Sequence, residues 1–405
     1  MSADGINCDC TSRSCFLNRP CWTFVISLSM LTRMNHFEFF KSSVFRPAAF
    51  FLAFALIAGC RENATGPPVL PVTEIRKIES TTQPAVVPQR SKYALSDAHL
   101  HLVDFLQSGD GINAVVAAMD RTGVTDAMLT GMPVVKKWDA ADPRKPLYYL
   151  EDDARTYWYS ATDVLVARQY QSLPQATRSR FHPFITGFNG TDMNAVDHIE
   201  RMIEWYPDTW EGIGEVMARH DDLTALTYGE SSRANSKSLG RIYDFAADHD
   251  LPVSIHSNCG SVWLRQPVYL FEIEQAIKDP RTRFIWCHAG ISRRIIVPSL
   301  VNELRRMFKA YSNFSIDISW VTFDDVIAPQ GQVKQAWIDL IEEFPTRVMI
   351  GSDMVGKFGN YNEEIVKYDI LLDRLTPDTA KKVAHDNFLS MLPEKVRSRM
   401  NTMGK

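Results

Sequence analysis

A chain of 405 residues that is 45% hydrophobic and 23% charged has the composition of a folded protein with ample material for a large core. A formal net charge of -4 and an isoelectric point near 6.2 offer no general attraction to polyanions, so nucleic acid is not expected as a partner. No block of Lys and Arg stands out locally either.

The first segment with a recognisable design is 47–60, Pro-Ala-Ala-Phe-Phe-Leu-Ala-Phe-Ala-Leu-Ile-Ala-Gly-Cys. Its apolar run is too short to span a bilayer comfortably and has the length of a signal-peptide hydrophobic region, with Lys41 and Arg46 as the positive flank. The closing Ile57-Ala58-Gly59-Cys60 resembles the lipobox of bacterial lipoproteins, in which cleavage before the cysteine leaves it lipidated. That resemblance implies a lipid anchor at Cys60 in a bacterial cell envelope. Arg61 in place of an aspartate implies the outer membrane, on its periplasmic face. Started at Met34, residues 34–59 form a signal peptide of ordinary length. Residues 1–33, with Cys8, Cys10, Cys15 and Cys21, then read as an over-extended start without a fold, and a zinc site is the competing use of those cysteines. Residues 60–92, rich in Pro and Thr, read as a disordered tether to a folded body at 93–405.

In the body, short apolar runs bounded by turn residues recur at 93–102, 125–134, 180–189, 210–219, 251–260, 283–290, 313–320 and 347–354. Between them lie stretches of helical periodicity, such as Ala195-Val-Asp-His-Ile-Glu-Arg-Met-Ile-Glu-Trp205 and Gln335-Ala-Trp-Ile-Asp-Leu-Ile-Glu-Glu-Phe344. Eight such strand–helix repeats predict an α/β fold of the (β/α)8 TIM-barrel type. A doubly wound sheet is the competing architecture, but a Gly-rich phosphate loop would then follow the first strand, and Asp97-Ala-His-Leu-His101 is not one.

Active sites of such barrels sit at the C-terminal ends of the strands. This chain places His99 and His101 at the end of strand one and Glu215 on strand four. His256 ends strand five, His288 strand six and Asp353 strand eight. Residues i and i+2 of a strand share a face, so His99 and His101 project side by side, with Asp97 one pleat deeper as a supporting group. Each residue alone reads blandly, as a satisfied core histidine or a turn aspartate. Together, four histidines and two carboxylates are a preferred donor set for a borderline divalent ion.

The order His-x-His, Glu, His, His, Asp on strands one, four, five, six and eight resembles the amidohydrolase superfamily. The details are most similar to its amidohydrolase-related branch and to TatD-like hydrolases. The resemblance runs from residue 93 to about 393, and Ala384-His-Asp-Asn-Phe-Leu389 resembles that branch's closing helix. It implies that His99 and His101 ligate a first ion, with Asp353 completing the site and serving as the base. It implies that His256 and His288 ligate metal or orient the water, His288 with a catalytic share, and that Glu215 bridges where two ions bind. Zinc is the expected ion, and one or two ions remain open.

A bound divalent ion lowers the pKa of its water to about 7 and polarises a scissile carbonyl. The expected reaction is hydrolysis of an amide, ester or lactone in a small-molecule substrate. A non-oxidative decarboxylase, a TatD-like nuclease and a binding protein that has lost its chemistry are the alternatives. Candidates for substrate contact are Trp138, Tyr148 and Tyr149 in the long connection after strand two, and Arg219, His220, Trp263, Arg265, Arg293 and Lys357 after other strand ends. Cys259 and Cys287, at neighbouring strand ends, read as two buried thiols, with a disulfide as the competing use. No feature assigns an oligomeric state.

Overall fold

The computed structural model describes residues 90–136 and 154–403. The lipobox with Cys60, the cysteines before it, the tether up to residue 89, and Trp138, Tyr148 and Tyr149 lie outside the described residues.

Eight strands stand side by side in chain order, every neighbouring pair parallel: β1 (Leu95–Asp97), β2 (Val124–Leu129), β3 (Phe181–Ile185), β4 (Gly212–Met217), β5 (Val253–His256), β6 (Phe284–Trp286), β7 (Phe314–Asp317) and β8 (Val348–Met349). The two edges meet. Ala98 N–H donates to Ile350 O at 3.0 Å, and just beyond, Leu100–His101 pairs in parallel with Met354–Val355. The sheet is therefore a closed barrel, which leaves no edge strand unpaired. Buried on both faces, the strands are near-continuous apolar runs, as in the fully buried Phe181-His-Pro-Phe-Ile185.

Helices follow the strands on the outside: α1 (Ile112–Thr122), α2 (Ala161–Ser172), α3 (Ala195–Trp205), α4 (Lys237–Asp248), α5 (Leu270–Ala276), α6 (Leu300–Ala310), α7 (Gln335–Glu343) and α8 (Tyr361–Val366). Each lays an apolar stripe on the barrel. In α3 it is Ala195, Ile199 and Met202, and in α6 Leu300, Leu304, Met307 and Phe308, the i, i+4, i+7 spacing of a helix face. Both helices expected from periodicity form where the pattern places them, α7 ending one residue earlier. After β2 the chain makes a two-stranded antiparallel ribbon, Val134–Lys136 against Thr156–Trp158.

The expected run 93–102 forms two short pieces rather than one strand. Asp97 Oδ1 accepts the backbone N–H of His99 at 3.1 Å, which takes that amide out of the ladder. Beyond His99 the chain pairs on both sides, with Thr130 past the end of β2 and with Met354–Val355 past the end of β8.

The C-terminal segment closes the N-terminal end of the barrel. Asn387 Nδ2 donates to Pro345 O and Val348 O at the entry of β8, and Glu394 N–H donates to Asp250 ahead of β5. Phe388, Met391, Leu392, Val396 and Met400 pack against the barrel-interior residues Ala98, Met128, Phe184, Ile285 and Met349. Beside this plug His182 is fully buried between two carboxylates, Nδ1 at 2.6 Å from Glu211 and Nε2 at 3.4 Å from Asp126. Arg399 of the plug holds Glu211 from the other side at 2.7 Å. Among the described residues no helix is long and apolar enough to cross a membrane.

Candidate metal centre

All six residues expected to form the site meet at the C-terminal mouth, within about one side chain of each other. His99 Nε2 lies 3.2 Å from His101 Nε2, 3.6 Å from Glu215 Oε2 and 3.5 Å from Asp353 Oδ1. His101 Nε2 lies 3.3 Å from the same Glu215 oxygen and 3.5 Å from the same Asp353 oxygen. The second oxygens face a second group. Glu215 Oε1 is 3.1 Å from His256 Nδ1 and 3.6 Å from His288 Nε2, and Asp353 Oδ2 is 3.8 Å from His288 Nε2.

The backbone aims these side chains by unusual conformations. His288 (φ 53°), Asp353 (φ 50°) and the adjoining Trp320 (φ 55°) are all left-handed without being glycine, at a cost of about 1–3 kcal/mol each. Such strain persists only where the surroundings over-determine it, and here it sits at three strand ends of one mouth. Before Glu215, Gly214 takes φ 141°, and a Cβ at that position would stand 2.4 Å from Ser254 O. Only glycine lets β4 lie this close to β5, and that closeness brings Glu215 beside His256.

The hydrogen bonds behind the histidines settle which nitrogen faces the centre. His101 Nδ1 donates to Gly131 O at 2.7 Å and His99 Nδ1 to Asp317 Oδ2 at 3.1 Å. Ser319 spends its hydroxyl hydrogen on Asp317 Oδ1 at 2.5 Å, so its oxygen accepts from His288 Nδ1 at 2.8 Å. Each of these rings turns a bare Nε2 lone pair to the centre. At His256 the same logic runs the other way round the ring. Asn258 Nδ2 is held by Asp221 at 2.8 Å, so Asn258 Oδ1 accepts His256 Nε2–H at 2.9 Å, leaving Nδ1 bare towards Glu215.

Lone pairs and carboxylate oxygens at 3.2–3.6 Å repel unless positive charge lies between them. Ligand atoms arranged tetrahedrally at bond lengths of about 2.0–2.2 Å would be about 3.3–3.6 Å apart. The donor set and its spacing therefore fit a divalent ion held by His99, His101, Glu215 and Asp353. His256 and His288, with the other Glu215 oxygen, are a second group that an additional ion would suit. The protein's own charges tell the same story. Burial alone would depress His99, yet Asp353, Glu215 and Asp317 raise its pKa well above the usual value. Burial opposes the Glu215 anion, yet His99 and the other imidazoles packed around it hold its pKa well below the usual value.

Asp97 supports rather than faces the centre, as its depth on the strand implies. It accepts from His99 N–H, Ser352 N–H (2.8 Å), Ser352 Oγ (2.6 Å) and Tyr361 OH (2.9 Å). Asp317, Ser319 and Asn258 are the supporting residues that sequence reasoning did not single out. Asp317-x-Ser319 at the end of β7 repeats the same-face spacing of His99-x-His101, and that spacing was the available signal.

The mouth encloses a cavity of about 60 Å³, walled by Phe105, Met132, Met217 and Leu223 beside the centre and by His220 and Trp320. Of the substrate-contact candidates among the described residues, only His220 lines it. Arg219 forks onto Glu272 at 2.6 and 3.1 Å and stacks on Tyr269, and Arg293 is spent on Asp222 at 2.6 Å. Trp263 stands 89% exposed on the loop after β5, and Lys357 pairs with Asp110 at 3.3 Å. Neutralised by acids or turned to solvent, these side chains are not delivered to the cavity. Cys259 and Cys287 are free buried thiols. Burial pushes Cys259 up to about 12, and Cys287 rests against Ser254 Oγ at 3.1 Å.

No curated protein matches this chain. Among solved structures, it is similar to dihydroorotase from Campylobacter jejuni at 18% identity and a TM-score of 0.43, over 75% of this chain and 85% of that one. It is similar to 2,6-dihydroxybenzoate decarboxylase at 12% identity and a TM-score of 0.44, over 75% of this chain and 99% of that one. A Pseudomonas putida protein named as a 2-pyrone-4,6-dicarboxylic acid hydrolase is similar at 11% identity and a TM-score of 0.46, over 74% and 97%. The amidohydrolase family model matches residues 96–392, from β1 through the C-terminal plug, and the chain belongs to the amidohydrolase family.

Proposed function

We propose that this amidohydrolase-family enzyme is a divalent-metal-dependent hydrolase that cleaves an amide, ester or lactone bond in a small substrate. The observation that carries this reading is the pair of His99 and His101 Nε2 atoms, 3.2 Å apart and each 3.3–3.6 Å from one oxygen of Glu215 and one of Asp353, with both histidines turned by hydrogen bonds to present lone pairs. A divalent ion held there supplies a water of lowered pKa and a Lewis acid for the scissile carbonyl. The mixed imidazole and carboxylate donors suit zinc.

The rest falls to the chain's own groups. Asp353 has the most accessible side chain of the six, 12% exposed against at most 3% for its neighbours, so it borders the cavity where a water and substrate meet. It takes the proton of the attacking water as the oxygen bonds to the carbonyl carbon. It returns that proton to the departing nitrogen or oxygen as the old bond breaks. His288, held by Ser319, stands on the other side of Asp353 and orients that carboxylate. The apolar walls exclude bulk water from the reacting atoms.

The test is elemental analysis of the purified protein, then a panel of esters, lactones and amides with aromatic acids added. One or two equivalents of metal with hydrolysis lost on chelation support the reading. Two equivalents would place the second ion with His256 and His288. Carbon dioxide release from an aromatic acid without any hydrolysis would replace it with decarboxylation. The reading also includes lipid attachment at Cys60, supported by the Ile57-Ala-Gly-Cys60 motif. Partition of wild-type protein into detergent and release of a Cys60→Ala variant would bear on that part alone.

A further inference from the structure

His220 is wired like His256 and opposite to His99, His101 and His288. His220 lies on the loop after β4, 4% exposed, its ring stacked on His256 with centroids 4.2 Å apart. Its backbone is pinned by Thr224, whose Oγ1 accepts His220 N–H at 2.8 Å. Its Nδ1 accepts the backbone N–H of Asp222 at 3.2 Å. A backbone N–H can only donate, so Nδ1 presents its lone pair and the ring's proton sits on Nε2. A second proton on Nδ1 would meet the Asp222 N–H head on, so the ring is neutral.

His99, His101 and His288 each donate from Nδ1 and keep a bare Nε2. His220 does the reverse. A nitrogen that carries hydrogen cannot ligate an ion, so His220 is not a further ligand. Its Nε2 has no protein partner among the described residues, and its ring lines the same cavity as Glu215, His288 and Asp353. A buried donor on a ring that lines a small cavity beside the centre is placed to bind a substrate oxygen, and its removal from bulk water strengthens that bond.

We propose that His220 Nε2–H donates to the scissile carbonyl oxygen and stabilises the negative charge that develops there as the bond is attacked. This rests on the hydrolase reading above. It also gives a role to the arginines that do not reach the cavity. Arg293 grips Asp222 at 2.6 Å and Arg294 grips Asp221 at 2.7 Å, fixing the turn whose amide sets the His220 proton. Arg293 and Arg294 are thus positioning residues.

The experiment uses full-length, metal-loaded protein and two variants. His220→Phe keeps the stacked ring and removes the donor, and His220→Gln restores an N–H near the Nε2 position. In nitrogen-15 NMR of histidine-labelled protein, the signal absent from His220→Phe should be a neutral ring protonated at Nε2. On an ester or lactone that the wild type hydrolyses, kcat should fall by about 10²–10³-fold in His220→Phe, the loss typical of one oxyanion donor. Metal content and melting temperature should stay at the wild-type values, and His220→Gln should recover about tenfold of the lost kcat. A ring protonated at Nδ1 or on both nitrogens overturns the proposal whatever the activity. So does a His220→Phe kcat within about twofold of wild type, or a fall in kcat matched by loss of metal. A wild-type protein that binds metal but hydrolyses nothing on the panel overturns the hydrolase reading, and the proposal with it.

Discussion

Histidines and carboxylates are buried together at both ends of this barrel, and the two groups are built on opposite plans. At the plugged end, His182 spends both nitrogens on Glu211 and Asp126, and Arg399 offsets the remaining charge. Every polar atom there has a partner of opposite sign, so the group is complete in itself. At the mouth, His99, His101 and His288 each spend one nitrogen on an anchor and turn the other at neighbouring acceptors. That group turns imidazole nitrogens and carboxylate oxygens upon one another at 3.2–3.6 Å, an arrangement that a bound cation would complete. The contrast separates a structural ion cluster from a metal centre without reference to any ligand. What distinguishes them is how many ring nitrogens remain uncommitted.

The sharpest way to break the comparison is to remove a group from the mouth. His99→Ala, or Asp353→Asn, should abolish bound metal or hydrolysis respectively while leaving the circular dichroism spectrum folded. Retention of full activity by Asp353→Asn would remove it as the base. Chelation of the wild type should lower the melting temperature, since an ion bound at 100 times its Kd contributes about 2.7 kcal/mol.

Next in size is the plugged end. His182→Leu removes the buried histidine that Glu211 and Asp126 share and should cost about 3–5 kcal/mol by urea denaturation, with metal content unchanged. Its pH dependence follows from the directions of the shifts. Burial depresses the His182 pKa, but Glu211 and Asp126 raise it overall, so its stabilising share is complete below the unfolded value and lost as pH rises through the folded one. Burial opposes ionisation of Glu211, but His182 and Arg399 lower its pKa overall, so its share is complete above the unfolded value and lost as pH falls through the folded one. The gap between wild type and variant should therefore be widest between about pH 4.3 and 6.5 and narrow above it. A gap that grows steadily towards alkaline pH would mean that His182 is neutral in the fold.

A smaller effect is expected one residue behind the centre. Asp317→Asn keeps the shape but weakens the anchor of His99 and should reduce metal affinity about 10–100-fold, read by competition with a chelator. An unchanged affinity would mean that the His99 ring is oriented by packing alone. The smallest concerns the thiols. With its pKa pushed up to about 12, Cys259 should resist alkylation at pH 8 in the folded protein and react on unfolding.

Much of the barrel was legible in the residues because its signals are local. Eight apolar runs separated by helical patterns, and a His-x-His pair that one strand face must share, need no knowledge of distant neighbours. The six mouth residues could be found the same way, each being a polar group at the end of an apolar strand. The break in β1 was not legible, since it depends on the Asp97 carboxylate competing for an amide that a strand pattern assigns to the ladder. Nor was the fate of the arginines. Arg219 and Arg293 look free in the chain, and their acids, Glu272 and Asp222, stand 53 and 71 residues away.

The sequence by itself determined the fold class, the strand order and which side chains gather at the mouth, because alternation along a strand and periodicity along a helix follow from backbone geometry alone. Only the tertiary structure decided what those side chains do. The proton of an imidazole goes to whichever nitrogen has an acceptor beside it. For His99 that acceptor comes from β7, for His101 from the end of β2, and for His220 an amide on its own turn fills Nδ1 and leaves the proton on Nε2. Identical residues become ligand, ion pair or donor according to contacts that form only once the barrel has closed.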